Sequence, residues 1–382
     1  MQKTTLCAIV LVSMLATSER PAAAATHVRT KLTFCRAVER APVLDGRLDD
    51  PCWQRAYAFD DFGFLKWGSP KGKTPDQLPA TRGQVAYDKD YLYFNFHCAE
   101  PHMERFQAVL NRSAPLFARD CLEIYIDTKN DDRGYVCVWA NAKGEKMSER
   151  RIDMDWAIVT DHSFRLWARY DYAVEVTDAA WIVEGRVAWK DMDVEPRPGL
   201  IMGFNPCRFR FSHKPVQFLC WSTIGESQKR PELYGHMVLG DRPDDVTPVL
   251  AKLYPAYERM TIHVPQGTSI AVFEGGARTV VTYRQMLEDR LSAAADRLET
   301  LAARVADAPA SGHQKRAQQL LAKAEEARAA IGERAAAAET VTESAYLAQA
   351  ASLDQLDRTL ESAAWTLRIG TLLATLKTAG GE

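Results

Sequence analysis

Residues 41–59 read APVLDGRLDDPCWQRAYAF. Asp45-Gly46 is a tight-turn pair, because glycine takes a positive φ without steric cost. Asp49 and Asp50 ahead of Pro51 suit a turn or the cap of a short helix. Trp53 then supplies a large apolar anchor. Cap, turn and plug in so short a run give the stretch a structural role.

The residues that follow read as strands. In residues 82–98 a turn at Asp88-Lys89-Asp90 separates two β-rich runs. In the second run Leu92, Phe94, Phe96 and Cys98 alternate with Tyr91, Tyr93, Asn95 and His97. In CLEIYID (121–127), Leu122, Ile124 and Ile126 alternate with Glu123, Tyr125 and Asp127. YVCVWAN (135–141) returns after a polar turn, and 171–189, 201–212 and 216–222 read as further strands. Many short strands with frequent turns predict an antiparallel all-β sandwich over residues 30–240.

Residues 241–282 hold four prolines and Gly275-Gly276, and read as a connector carrying a small hairpin. From 283 the pattern changes. Leu287, Leu291, Leu298, Leu301 and Val305 fall on one helix face. Breaks at 308–313 and 338–344 divide the rest, which predicts a C-terminal helical hairpin or three-helix bundle over 283–377. Its residue types fit packing, oligomer contacts or a protein partner rather than catalysis.

The first 25 residues have a basic start at Lys3, an apolar run at 6–15 and small residues before Ala25. They read as a signal peptide, so the expected location is secreted or periplasmic. No later run approaches the length of a membrane span. The 382 residues carry 48 basic and 50 acidic side chains, a net charge of −2, which points away from nucleic acid. Seven cysteines follow the leader. Cys207 and Cys220 flank a hairpin and are the candidates for a disulfide, although each of the seven can equally be a small buried hydrophobe.

Taken in order, PVLDGRLDDPCWQRA, VAYDKDYLYFNFHCAEP, RDCLEIYID, WANAKG, WIVEGRVAWKDM, MGFNPCRFRF and CWSTIGESQKRPELYGHMVL resemble the ordered motifs of carbohydrate-binding modules of family 9 and their DOMON-related kin, over about residues 38–240. The resemblance implies a sandwich that clamps a sugar between aromatic rings and fixes its hydroxyls with polar side chains. Carried over residue by residue, it places Phe117 and Gln228 where the family has its two clamp tryptophans, with Trp221 seven residues before the second. It matches Glu123 to the family's glutamate and Asn141 to its asparagine, and puts Trp139 where the family has an arginine.

The ligand-binding set expected is therefore Phe117, Glu123, Trp139, Asn141, Arg208, Arg210, Trp221 and Gln228. The two arginines enter on the expectation that they share a sheet face with Glu123. Asp127, Asn130 and Asp132 are candidates for a structural Ca²⁺, since carboxylates and carbonyls suit that ion; no other cofactor is expected. The favoured reading is an exported, non-catalytic carbohydrate-binding protein. Three alternatives stay open. One is a structural or protein-interaction role with a vestigial sugar site. Another is a glycoside hydrolase-type enzyme using two of Glu123, Asp127, Glu175 and Glu184. The last is a haem-binding relative using Met103, His97, His102 or Met202.

Overall fold

The protein is described from a computed structural model over residues 26–65, 78–154, 157–161 and 170–379. Residues 1–25, expected to be a signal peptide, lie outside those residues. Two sheets face each other across the main core. In spatial order one contains Ala157–Asp161, Lys146–Met154, Tyr135–Asn141, Cys121–Asp127, Ile201–Arg210, Gly235–Leu239 and Leu32–Ala37. The other continues from Leu32–Ala37 through Thr81–Tyr87, Tyr91–Ala99, Ala180–Ala188 and Tyr170–Val176. The 32–37 strand belongs to both: its first four residues pair with 236–239, and Arg36-Ala37 pair with Ala86-Tyr87. Those two pairings are parallel, a departure from the expected antiparallel sandwich, because this strand passes from one sheet to the other.

The period-two alternation is obeyed. Leu122, Ile124 and Ile126 enter the same buried cluster as Phe94, Phe96 and Val183 of the facing sheet. Trp221 belongs to this core as well. It is 3% exposed, with ring centroids 5.3 Å from Phe59 and 5.8 Å from Phe204.

The opening stretch is tied down by one carboxylate. Glu184 Oε2 accepts the backbone N–H groups of Asp45 (3.1 Å) and Gly46 (3.2 Å), and its Oε1 accepts Trp53 Nε1–H at 2.7 Å. Gly46 has φ 83°, and a Cβ there would stand 2.7 Å from the Glu175 nitrogen. Trp53 is 2% exposed and plugs a small cluster with Ala86 and Tyr93. Asp50 precedes helix Pro51–Arg55, but its carboxylate takes the Val43 N–H at 3.0 Å instead of capping the helix.

The region read as a connector is more elaborate than a hairpin. Met260–Gln266, Ser269–Glu274 and Ala277–Thr282 form a meander, and Thr26–Arg29 adds in parallel to its first strand. With helix Thr247–Leu253 it lays Ile262, Val264, Phe273 and Leu250 against Phe34 and Val238 of the sandwich. Local sequence gave no signal for the fourth strand, because its partner lies more than 230 residues away.

Three helices follow: Tyr283–Ala306, Gly312–Ala337 and Glu343–Ala379. Thr282 and Ser311 hydroxyls accept the N–H groups of Gln285 and Gln314, each at 3.1 Å, capping the first two. The third is capped from the sandwich: Asp61 accepts the Ser344 N–H at 3.2 Å and its hydroxyl too. Glu343 sits beside this cap, 3% exposed, bonded to Arg29 and 3.1 Å from Lys31 Nζ. Among the described residues no helix is long and apolar enough to cross a membrane.

Candidate functional site

The face of the 121–127 sheet turned away from the main core carries a second, mixed layer. Strand register sets its rows. Trp139 lies opposite both Met147 and Glu123, Glu123 opposite Cys207, and Cys207 opposite Cys220. The adjoining row runs Glu149, Cys137, Tyr125, Asn205. Glu123 is 4% exposed and accepts Trp139 Nε1–H at 2.8 Å and the Tyr125 hydroxyl. Glu149 accepts the Tyr135 hydroxyl at 2.9 Å and pairs with Lys229 Nζ at 2.9 Å. Tyr125, Tyr135 and Tyr234 pack as a ring cluster with centroids 5.0–6.4 Å apart.

The loop after Trp221 closes over this layer. Asn205 Oδ1 holds its start through Ser222 N at 3.0 Å. Tyr234 OH donates to the Gln228 carbonyl at 2.8 Å, and Arg151 Nη1 donates to that of Lys229 at 2.6 Å. Two polar atoms there are buried without a partner among the described residues: Gln228 Oε1, an acceptor, and Arg151 Nε, a donor. Leu116 packs into the same layer, and the next residue, Phe117, turns its ring to solvent at 54% exposure.

The structure therefore gathers Glu123, Trp139 and Gln228 on one face, with Phe117 at its margin, and sorts the other expected residues elsewhere. Arg208 lies opposite Leu122 in the ladder, so it and Arg210 point into the sandwich, opposite to Glu123. The expected polar floor does not form. Both arginines are essentially fully buried. Arg210 makes bonds of 2.7 and 2.8 Å to the Glu100 carboxylate, and Arg208 donates to Ala99 O at 2.7 Å and Thr81 Oγ1 at 3.0 Å. Trp221 is core, as above. Asn141 serves the turn that follows it: its Oδ1 accepts the N–H groups of Lys143 and Glu145, and its Nδ2 donates to Glu145 Oε2 at 2.7 Å.

Asp127 likewise organises a turn, accepting the N–H groups of Lys129 (3.2 Å) and Asp132 (2.9 Å), while Asn130 Oδ1 meets His236 Nδ1 at 2.8 Å. No group of three or more His, Cys, Asp or Glu suited to a metal ion occurs among the described residues. Cys207 and Cys220 do face each other. Trp221 N–H bonds Pro206 O across the next position, which makes theirs a close, non-hydrogen-bonded pair. Both are free thiols buried with Tyr125 and Trp139, not the expected bridge. Of the haem-ligand candidates, Met202 is core and His97 faces solvent. Glu184 is committed to the opening turn.

Sequence reading missed Tyr135, Glu149, Arg151, Lys229 and Tyr234. Alternation from Trp139 reaches Tyr135, and the 135–154 hairpin register reaches Glu149. Nothing local places the 228–234 loop over the sheet. A surface depression of about 630 Å³ lies elsewhere, on the other sheet, lined by residues including Lys89, Tyr91, Trp189 and Glu195. Its one accessible aromatic ring, Tyr91, is covered by the Arg186 guanidinium 4.6 Å from the ring centre.

Burial pushes the Glu123 carboxyl up to about 7, against the pull of its bonds from Tyr125 and Trp139. A carboxyl raised in the folded state stabilises the fold fully below its unfolded pKa, and that contribution is lost as pH rises through the folded value. Relative to wild type, Glu123→Gln is expected to gain about 3 kcal/mol in stability between about pH 4 and pH 8. Urea denaturation of both proteins at the two pH values checks this, and parallel pH profiles would contradict it.

The model of the family described as carbohydrate family 9 binding domain-like matches residues 44–242. The match spans more than half of the chain, and the protein belongs to this family. Endo-1,4-beta-xylanase A of Thermotoga neapolitana and that of Thermotoga maritima are each 24% identical over 204 residues, 52% of this chain and 17% of theirs. This chain thus spans about a sixth of the length of those relatives. Among solved structures, a family 9 module from Caldicellulosiruptor kristjanssonii in complex with glucose is 19% identical, with a TM-score of 0.39, over 57% of this chain and all of the module. The same organism's module with cellotriose gives 19% and 0.38, over 56% and 96%.

Proposed function

We propose that this protein is an exported, non-catalytic carbohydrate-binding protein whose site is the outer face of the 121–127 sheet beneath the 228–234 loop. The observation that carries this reading is a pair of buried polar atoms without a partner among the described residues, Gln228 Oε1 on that loop and Arg151 Nε on the 146–154 strand that bonds to it. A sugar hydroxyl both donates and accepts, so sugar hydroxyls suit an acceptor such as Gln228 Oε1 and a donor such as Arg151 Nε alike. Family membership supports the ligand class. Phe117, the exposed aromatic ring at the margin, is suited to stack on the apolar face of a sugar ring. Lys229, partly exposed and paired with Glu149, adds a charge-assisted donor at the rim.

The test is a glycan array followed by calorimetry on mature protein. Saturable binding is expected. Phe117→Ala, at a half-exposed position, is expected to weaken it roughly threefold to tenfold while leaving the unfolding curve unchanged. Equal affinity in variant and wild type would remove Phe117 from the site. Absence of binding to every glycan would favour a structural role for the sandwich.

A further inference from the structure

The last helix carries two apolar seams. Leu353, Leu356, Leu360, Ala363 and Leu367, at steps of 3, 4, 3 and 4, are all buried in the bundle. Trp365, Ile369, Leu372 and Leu376 repeat the same kind of spacing at steps of 4, 3 and 4, yet are 61%, 45%, 57% and 67% exposed. Leu373, beside them, is 45% exposed. Two heptad seams on one helix serve two partners, and the bundle supplies only the first.

The bundle also ends before this helix does. Gly370 packs against His313 at the start of the second helix; a Cβ on it would stand 2.7 Å from His313 Cβ. Residues 371–379 therefore continue about 13 Å past the second helix. The five exposed side chains present on the order of 500–600 Å² of apolar surface, at the top of the range for a monomer.

We propose that this seam is a self-association surface, covered by the same seam of a second copy in antiparallel register. The pattern is self-complementary. About a two-fold axis between residues 370 and 371, Trp365 meets Leu376 of the other copy and Ile369 meets its Leu372, the alternating layers of an antiparallel coiled coil. The flanking Thr366, Arg368 and Thr375 set no like charges against each other, and the Arg368 guanidinium lies 5.4 Å from the centre of its own Trp365 ring. Two such faces bury ~1,000–1,200 Å², the lower end for a specific dimer. The helix start is anchored to the sandwich at Asp61, so an antiparallel pairing of the tips keeps the two sandwiches apart at opposite ends. A membrane surface fits less well, because such helices carry many basic residues, whereas after Glu361 this one has only Arg368 and Lys377.

Sedimentation velocity of the mature protein from about 1 to 100 µM tests the proposal. A concentration-dependent dimer is expected, with Leu372→Glu/Leu376→Glu monomeric throughout and its helical circular dichroism unchanged, since both positions face solvent. Small-angle scattering of the dimer is expected to show an elongated particle with a sandwich at each end. A wild-type monomer at every concentration, a dimer that survives the double substitution, or a particle with adjoining sandwiches would overturn it. So would a monomer that sediments with phosphatidylserine vesicles.

Discussion

Glu100→Ala is expected to destabilise the protein by about 3–5 kcal/mol, because it strands two buried guanidinium groups. Arg208 and Arg210 rise from the 201–210 strand into the sandwich, and the Glu100 side chain that faces them has no exposed surface. Burial pushes the Arg208 guanidinium below its usual range. Burial also works to raise Glu100, but its bonds and attraction to Arg210, with Arg208 adding to them, hold the carboxyl below the ordinary value. A carboxyl lowered in the folded state stabilises above its unfolded pKa and ceases to do so as pH falls through the folded one. The variant should therefore lose most against wild type near neutral pH and least in acid, as urea curves across pH would show. Replacing the group together, with Glu100→Leu, Arg208→Met and Arg210→Met, should recover most of the loss, since an ion cluster exchanged for apolar residues of similar volume is often neutral. A single substitution costing under about 1 kcal/mol would show that water reaches the arginines.

The second large effect is expected at the junction of sandwich and helices. Glu343→Ala removes the carboxylate that serves Arg29 and Lys31 at once, and Lys31 is only 4% exposed. Its nearest remaining partners are the Asp61 carboxylate at 3.7 Å and the Asp61 carbonyl at 3.0 Å, so the expected cost is about 3 kcal/mol, the lower end for breaking a buried pair. Burial opposes ionisation of Glu343, but Arg29 and Lys31 outweigh it and hold its carboxyl low. This junction should thus also weaken as pH falls. Hydrogen exchange is the direct measurement: the first turns of the last helix should lose protection before the sandwich core does. Unchanged protection at residues 343–350 would mean that the bundle is held by its apolar contacts alone. Arg29 also donates to the Ser222 carbonyl at 2.9 Å, so the same substitution loosens the anchor of the loop over the proposed sugar site.

Much of the architecture was legible in the chain because period-two and heptad patterns are local properties. The alternation in CLEIYID gave the correct inward face, and the breaks near 308–313 and 338–344 fell at the turns between helices. The opening stretch reads as turn, cap and plug. Turn and plug hold, while the Asp50 carboxylate takes the Val43 N–H in place of the helix cap. What alternation cannot give is the phase of one strand against another. Arg208 and Arg210 alternate correctly with Cys207 and Phe209, yet only the register Cys207 to Glu123 decides that the arginines face inward. A slip of one residue would have put them beside Glu123. Trp221 could not be placed from composition either, because a tryptophan serves equally as core or as platform until its neighbours are known.

The sandwich, the three helices and the family motifs are legible in the chain alone, because each rests on spacing within a single segment. Tertiary packing supplies the rest: Glu184 ties down the opening turn, Glu100 neutralises two buried arginines, Asp61 caps a helix beginning at residue 343, and the 228–234 loop closes over Glu123. Each of these joins groups far apart in the chain, and their pairing is fixed by sheet register and layer packing, which no local pattern encodes.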